Sequence, residues 1–289
     1  MPRWKIWILA ATLASTAGAG CGLFRKQAVG TMVPIIEQSV KTVYRDEDLA
    51  TVEKAIPANL ILVRGLCESD PGNRALWTLG AQLYFADAMA CVEDESPEAA
   101  KLPYRQGLTL GQTALARTGW FHPEQNLGGF QKGLEKASRK DVPLLFWTLA
   151  NWVSWINLEV NLPDALAQLP YAEAALRRVL ELDPGFFQGM PHVMMGTLLA
   201  SKPVIAGGNP EAARAEFEEA LSISGGKLLI FKVYYAQSYC RAALDEEGFV
   251  SNLNDVLNSP DDLEPNYRLL NEVAKRKAAH LMERKDDWF

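Results

Sequence analysis

The sequence predicts an all-α protein, and three observations carry that expectation. Apolar residues recur at spacings of three and four through most of the chain, which places them on one face of a helix. No stretch shows sustained apolar–polar alternation with β-branched enrichment, the mark of a half-buried strand. Compact turn signals separate the periodic segments: Asp70-Pro71-Gly72-Asn73, Leu127-Gly128-Gly129, Asp183-Pro184-Gly185, Gly207-Gly208-Asn209-Pro210 and Gly225-Gly226.

Taken in chain order, Met32 to Tyr44 carries Val33, Ile36, Val40 and Val43 at helical spacing. Leu49 to Leu66 carries Val52, Ile56, Leu60, Val63 and Leu66, with Pro57 expected to kink or split the segment. Further helices are expected over Asn73 to Val92, Glu98 to Arg117, Phe130 to Ser138 and Val142 to Glu159. Asp164 to Leu182, Phe187 to Ala200, Pro210 to Ile223, Leu228 to Leu244, Phe249 to Leu257 and Asn266 to Met282 complete the set. Many helices on short connections make an α-solenoid or an irregular bundle.

An internal repeat separates those two. Tetratricopeptide units recur at about 34 residues, and small residues on their second helix let paired helices approach closely. Ala213, Phe217 and Ala220 fit that helix, with Gly225 where a proline is usual. Ala172, Leu176, Val179 and Pro184 fit the same frame, and Asn59, Val63, Leu66 and Pro71 fit it loosely. Continuing that last frame places Trp77, Ala81 and Tyr84 on the next first helix. The other segments do not hold the period, so the expected array is degenerate and interrupted, and a generic helix bundle is the alternative.

Composition narrows the function. The 289 residues are 48% hydrophobic and 22% charged, with a formal net charge of −6. Loss of the first twenty residues with Arg3 and Lys5 takes that charge to −8. An acidic chain lacks the broad positive surface that neutralises phosphates, so no nucleic-acid partner is expected. Three histidines and four scattered cysteines leave little material for a metal centre, and no cofactor is expected.

The N-terminus has the order of an export signal. Two basic residues precede the short apolar run Ile6 to Leu13, and small residues from Ala14 to Gly20 end at Cys21. The apolar run is too short to anchor as a span. Ala19-Gly20-Cys21 resembles a lipobox, although Gly18 stands where such motifs carry an aliphatic residue. Residues 1–20 are therefore expected to be a lipoprotein signal, 21–31 a tether acylated at Cys21, and 32–289 one all-α domain. Plain secretion with an incidental cysteine is the alternative. Gly22 leans toward the outer membrane. Cys67, Cys91 and Cys240 are expected to be apolar buried thiols without a bridge between Cys67 and Cys91.

The helix at Val142 to Glu159 holds three tryptophans and Phe146 within ten residues. Such a wall suits core filling, and it equally suits a cleft in which indole N–H groups and amides orient a ligand. Trp147, Asn151, Trp152, Trp155 and Asn157 are the candidate cleft residues. Val204 and Ile205, in an apolar loop ahead of Asn209-Pro210, are candidates for a protomer contact or a pore mouth. The glycines there lack the strand and the Lys-Ser/Thr of a nucleotide-binding loop. Ser154 and Ser238 lack a histidine close in sequence, His122, His192 and His280 are isolated, and Glu218-Glu219 and Asp245-Glu246-Glu247 read as solvated faces. The basic run Lys275, Arg276, Lys277, Arg284 and Lys285 is expected to complement a helix terminus or to meet a membrane or acidic partner.

Four segments resemble the TatT family, the lipoprotein T components of tripartite ATP-independent periplasmic (TRAP) transporters. They are Ala55 to Pro71, Asp141 to Ile156 with its Phe-Trp and Trp-Val-Ser-Trp pattern, Gly207 to Leu221, and the closing helix Ala274 to Phe289. The resemblance covers nearly all of the mature chain. It implies a periplasmic helical scaffold that pairs with a solute-binding P protein. It also implies a homo-oligomer, a trimer, with a cleft or pore in each protomer for a small organic or hydrophobic ligand. The expected role is binding and positioning, not chemistry. A tetratricopeptide adaptor in envelope assembly and a helical enzyme acting on a hydrophobic substrate are the rival readings.

Overall fold

Helix α1 covers residues 27–44 and α2 covers Leu49–Ser69, which begins where the Asp48 carboxylate accepts the Thr51 backbone N–H at 3.0 Å. This computed structural model describes residues 27–202 and 207–289, and among them it contains helices and turns with no strand. The lipidation candidate Cys21 and the loop candidates Val204 and Ile205 lie outside the described residues.

Pro57 does not split α2. It sits on the exposed face, while Val52, Ile56, Leu60 and Val63 form one unbroken buried face, so packing holds the helix across the missing N–H. Helix α3 (Arg74–Ala86) runs into a π-turn over Asp87–Val92, and α4 (Pro97–Ala116) starts at the Ser96 cap. Helix α5 (Leu127–Leu134) corrects an expectation: Gly128 and Gly129, read as a separator, are its first turn, because Asn126 caps Gly129 N–H at 2.9 Å. Helix α6 (Val142–Leu158) is followed by two pieces where one was expected, α7 (Pro163–Leu166) and α8 (Leu169–Leu182). Pro170 sits in the first turn of α8, where its missing N–H costs nothing, whereas in one continuous helix it would leave the Leu166 carbonyl without a donor. Helices α9 (Met190–Ser201), α10 (Pro210–Ser224) and α11 (Leu229–Tyr234) follow. Helix α11 passes into a second π-turn, Tyr235–Cys240, before α12 (Glu246–Leu257) and α13 (Arg268–Glu283).

Each helix packs on its near neighbours in sequence: α2 on α3, α3 on α4 and α6, α4 on α6, α6 on α8, α8 on α9, and α9 on α10. Helices α11, α12 and α13 form the last group. Two contacts are unusually close. Gly107 and Gly111, one turn apart on α4, face Asn151 and Thr148 of α6, and a Cβ on either would collide with those side chains. On α9, Gly196 lies against the Phe217 ring of α10. Ala213, Phe217, Ala220, Ala172, Leu176 and Val179 are all fully buried, whereas Asn59 of the loosely fitting frame is exposed.

The array closes on itself. Helix α13 touches α2, and its cations reach the first helices: Arg276 pairs with Glu53 and donates to the Ala90 carbonyl, Lys277 pairs with Asp94, and Arg268 with Glu47. Lys275, Arg284 and Lys285 pair with Asp261, Asp287 and Glu246. The basic run expected to face a helix terminus or an outside partner is therefore engaged within the chain, mostly between elements. Cys67 and Cys240 are buried, Cys91 is half-buried, and all three are free thiols whose pKa burial pushes up to about 12.

Candidate functional site

Closure leaves an apolar cavity of about 420 Å³ along the inner face. Its walls are Ile36, Val40 and Val43 of α1, Val52, Ile56 and Val63 of α2, and the α3 segment through Phe85 to its π-turn. Trp147 of α6, Met190 of α9 and Leu269, Leu270 and Val273 of α13 complete it. A site this size, lined by aliphatic and aromatic groups with few polar atoms, suits a small ligand of largely apolar surface.

An aromatic cluster stands at one end. Tyr44, Phe187 and Tyr267 meet pairwise, with centroids 5.7 Å apart for Tyr44–Phe187, 5.7 Å for Tyr44–Tyr267 and 5.4 Å for Phe187–Tyr267. Trp147 joins Phe187 edge-on at 5.2 Å. Gln82 donates its amide to the Tyr44 hydroxyl at 2.6 Å. Burial pushes the Tyr44 phenol well above its ordinary pKa despite that hydrogen bond, so it remains neutral. Beyond the rings lies an open hollow of about 730 Å³ lined by Lys41, Arg45, Arg74 and Lys140 with Glu37. Val40, Tyr44, Leu79, Gln82 and Phe187 border both spaces.

The sequence-predicted residues divide. Trp147 lines the cavity. Asn151 does not: it is fully buried, and its Nδ2 donates to the Ala81 carbonyl at 2.8 Å and to that of Trp147 at 2.7 Å, binding α6 to α3. Trp152 is core as well, its Nε1 donating to Gln168 at 2.8 Å. Trp155 packs beneath the Arg105 guanidinium, 5.8 Å from its ring centre. Asn157 lines a separate cleft of about 620 Å³ with Ser154, Met194, Arg241 and Trp288. The five α6 candidates thus do not form one wall, because α6 is buried on nearly every side by α3, α4, α8 and α9.

Sequence reasoning missed Tyr44, Gln82, Phe187, Tyr267 and the apolar face of α13 as site residues. They come from segments far apart in the chain, and periodicity marks each only as a helix face. Among the catalytic possibilities, His122 contacts Glu124 at 3.0 Å and His192 contacts Glu216 at 2.6 Å, while the Ser238 hydroxyl lies 3.5 Å from that of Thr197. None of the described helices is long and apolar enough to cross a membrane.

No curated protein matches the chain. A family model described as TRAP transporter T-component matches residues 45–289, from the end of α1 through the closing helix and so across most of the cavity wall. The chain belongs to the TRAP transporter T-component family.

Proposed function

We propose that this chain is a lipid-anchored periplasmic scaffold, moored through Cys21 to the outer membrane. It binds the solute-binding P protein of a TRAP system and holds a small apolar ligand in transit to it. It works by binding and positioning, without catalysing a reaction, and it assembles as a trimer. Membership of the T-component family supports the transport association. The single observation that carries ligand handling is the apolar cavity of about 420 Å³, partly open to solvent, where α13 returns to α2.

The test is capture with the full chain carrying Cys21→Ala, which removes the acyl acceptor. A periplasmic extract should yield a TRAP solute-binding protein at a fixed ratio. Recovery of envelope-assembly proteins without it contradicts the reading.

A further inference from the structure

The hollow beyond the aromatic cluster has the opposite character to the cavity behind it. Four cations line it against one lining carboxylate, Glu37, in a chain whose formal charge is −6. Arg74 is neutralised by Asp141. Arg45 donates to the Asn266 amide at 3.2 Å, a neutral partner, and Lys41 and Lys140 are exposed. Asp46, which borders the apolar cavity and accepts the Asp48 backbone N–H at 2.9 Å, is a second carboxylate, and Lys41, Arg45 and Lys140 outnumber it and Glu37. Positive charge gathered at a mouth with low-dielectric walls draws anions to it.

Between the two spaces stand Tyr44, Phe187 and Tyr267. Phe187 has φ 45° and ψ 51°, and Gln188 has φ 60°, left-handed backbone that side-chain-bearing residues rarely adopt. Strain of this kind persists where the surroundings over-determine it, and it gathers at ligand clamps. Here it holds the Phe187 ring against Tyr44, Tyr267 and Trp147 at the junction.

We propose that the ligand is an amphipathic anion: its aliphatic part passes the Tyr44–Phe187–Tyr267 rings into the apolar cavity, and its head stays among Lys41, Arg45 and Lys140. The inference rests on the reading of the cavity as a ligand site and adds the head group, the orientation and the gate. A purely apolar ligand gains nothing from the cationic mouth. A small hydrophilic acid gains nothing from the cavity. Only a molecule with both parts uses both surfaces at once.

Calorimetric titration of the full Cys21→Ala chain with dodecanoate, dodecanol and dodecyltrimethylammonium separates the two claims. Dodecanoate should bind about ten-fold more tightly than dodecanol, as three exposed ion contacts provide, and the cation should bind most weakly. Shortening dodecanoate to decanoate should cost about four-fold per methylene. Replacing the three exposed cations together (Lys41→Ala, Arg45→Ala, Lys140→Ala) should bring dodecanoate to the affinity of dodecanol and leave dodecanol unchanged. Equal binding of all three probes, or no effect of the triple variant on dodecanoate, overturns the head-group assignment while the cavity stands. If dodecanol also fails to bind, the cavity reading falls with it.

Discussion

Phe187 and Gln188 hold left-handed backbone immediately before Gly189, at φ 93°. Three such residues in succession turn the chain sharply between Asp183-Pro184-Gly185 and α9, and the turn delivers one ring to the cavity mouth. The sequence shows a turn signal followed by an apolar helix, so Phe187 reads as that helix's first residue. Nothing local announces that it points the other way. Because the conformation suits glycine, the usual order of substitutions reverses here. Phe187→Ala should be less stable than Phe187→Gly by about 1 kcal/mol in denaturant unfolding. Alanine as the more stable of the two contradicts the strained turn. The tryptophans of α6 teach a related lesson. Residue type and spacing mark Trp147, Trp152 and Trp155 as important, but only their neighbours decide which faces a cavity, and those neighbours lie on α3, α8 and α4.

The starts of α2, α4 and α10 were legible to within a residue, and there Asp48, Ser96 and Asn209 each accept a backbone N–H of the first turn; the caps Asn126 and Asp245 went unread, and α5 and α12 begin three residues earlier than expected. They were illegible where tertiary contacts decide. The π-turns at Asp87–Val92 and Tyr235–Cys240 carry ordinary helical sequence. The start of α6 shows how elements are tied together. Arg74 at the head of α3 pairs with Asp141, which also accepts the Ser138 hydroxyl at 2.7 Å and the Ser138 N–H at 2.8 Å. Burial raises the Asp141 pKa, yet Ser138 and Arg74 together outweigh it and hold the carboxyl below its ordinary range. A carboxyl depressed in the folded state stabilises the fold above its unfolded pKa, and that contribution disappears as pH falls through the folded value. Asp141→Asn should therefore cost roughly 2 kcal/mol at pH 7, discounted because Arg74 is partly exposed. The gap from the parent should close on acidification below pH about 4. A deficit independent of pH contradicts the ionic account.

At the scale of the whole molecule, the all-α class was plain from period and turn chemistry, and so was the family likeness. The closure was not. Helix α13 reaches α2 through Arg276–Glu53 and the turn after the first π-turn through Lys277–Asp94, pairs more than 180 residues apart in sequence. A basic run read alone looks like an exposed patch, and only the fold supplies its carboxylates. That closure gives a row of helices a shared apolar cavity, and the cavity supports the proposed ligand handling. Ala55 is exposed on α2 and borders the cavity, so a large side chain there fills the space without entering the core. The most direct measurement is calorimetric titration with dodecanol of the Cys21→Ala chain and of the same chain carrying Ala55→Trp, alongside their thermal unfolding. The account predicts one saturable site that Ala55→Trp abolishes at an unchanged midpoint; absence of binding, or binding indifferent to that substitution, would contradict it.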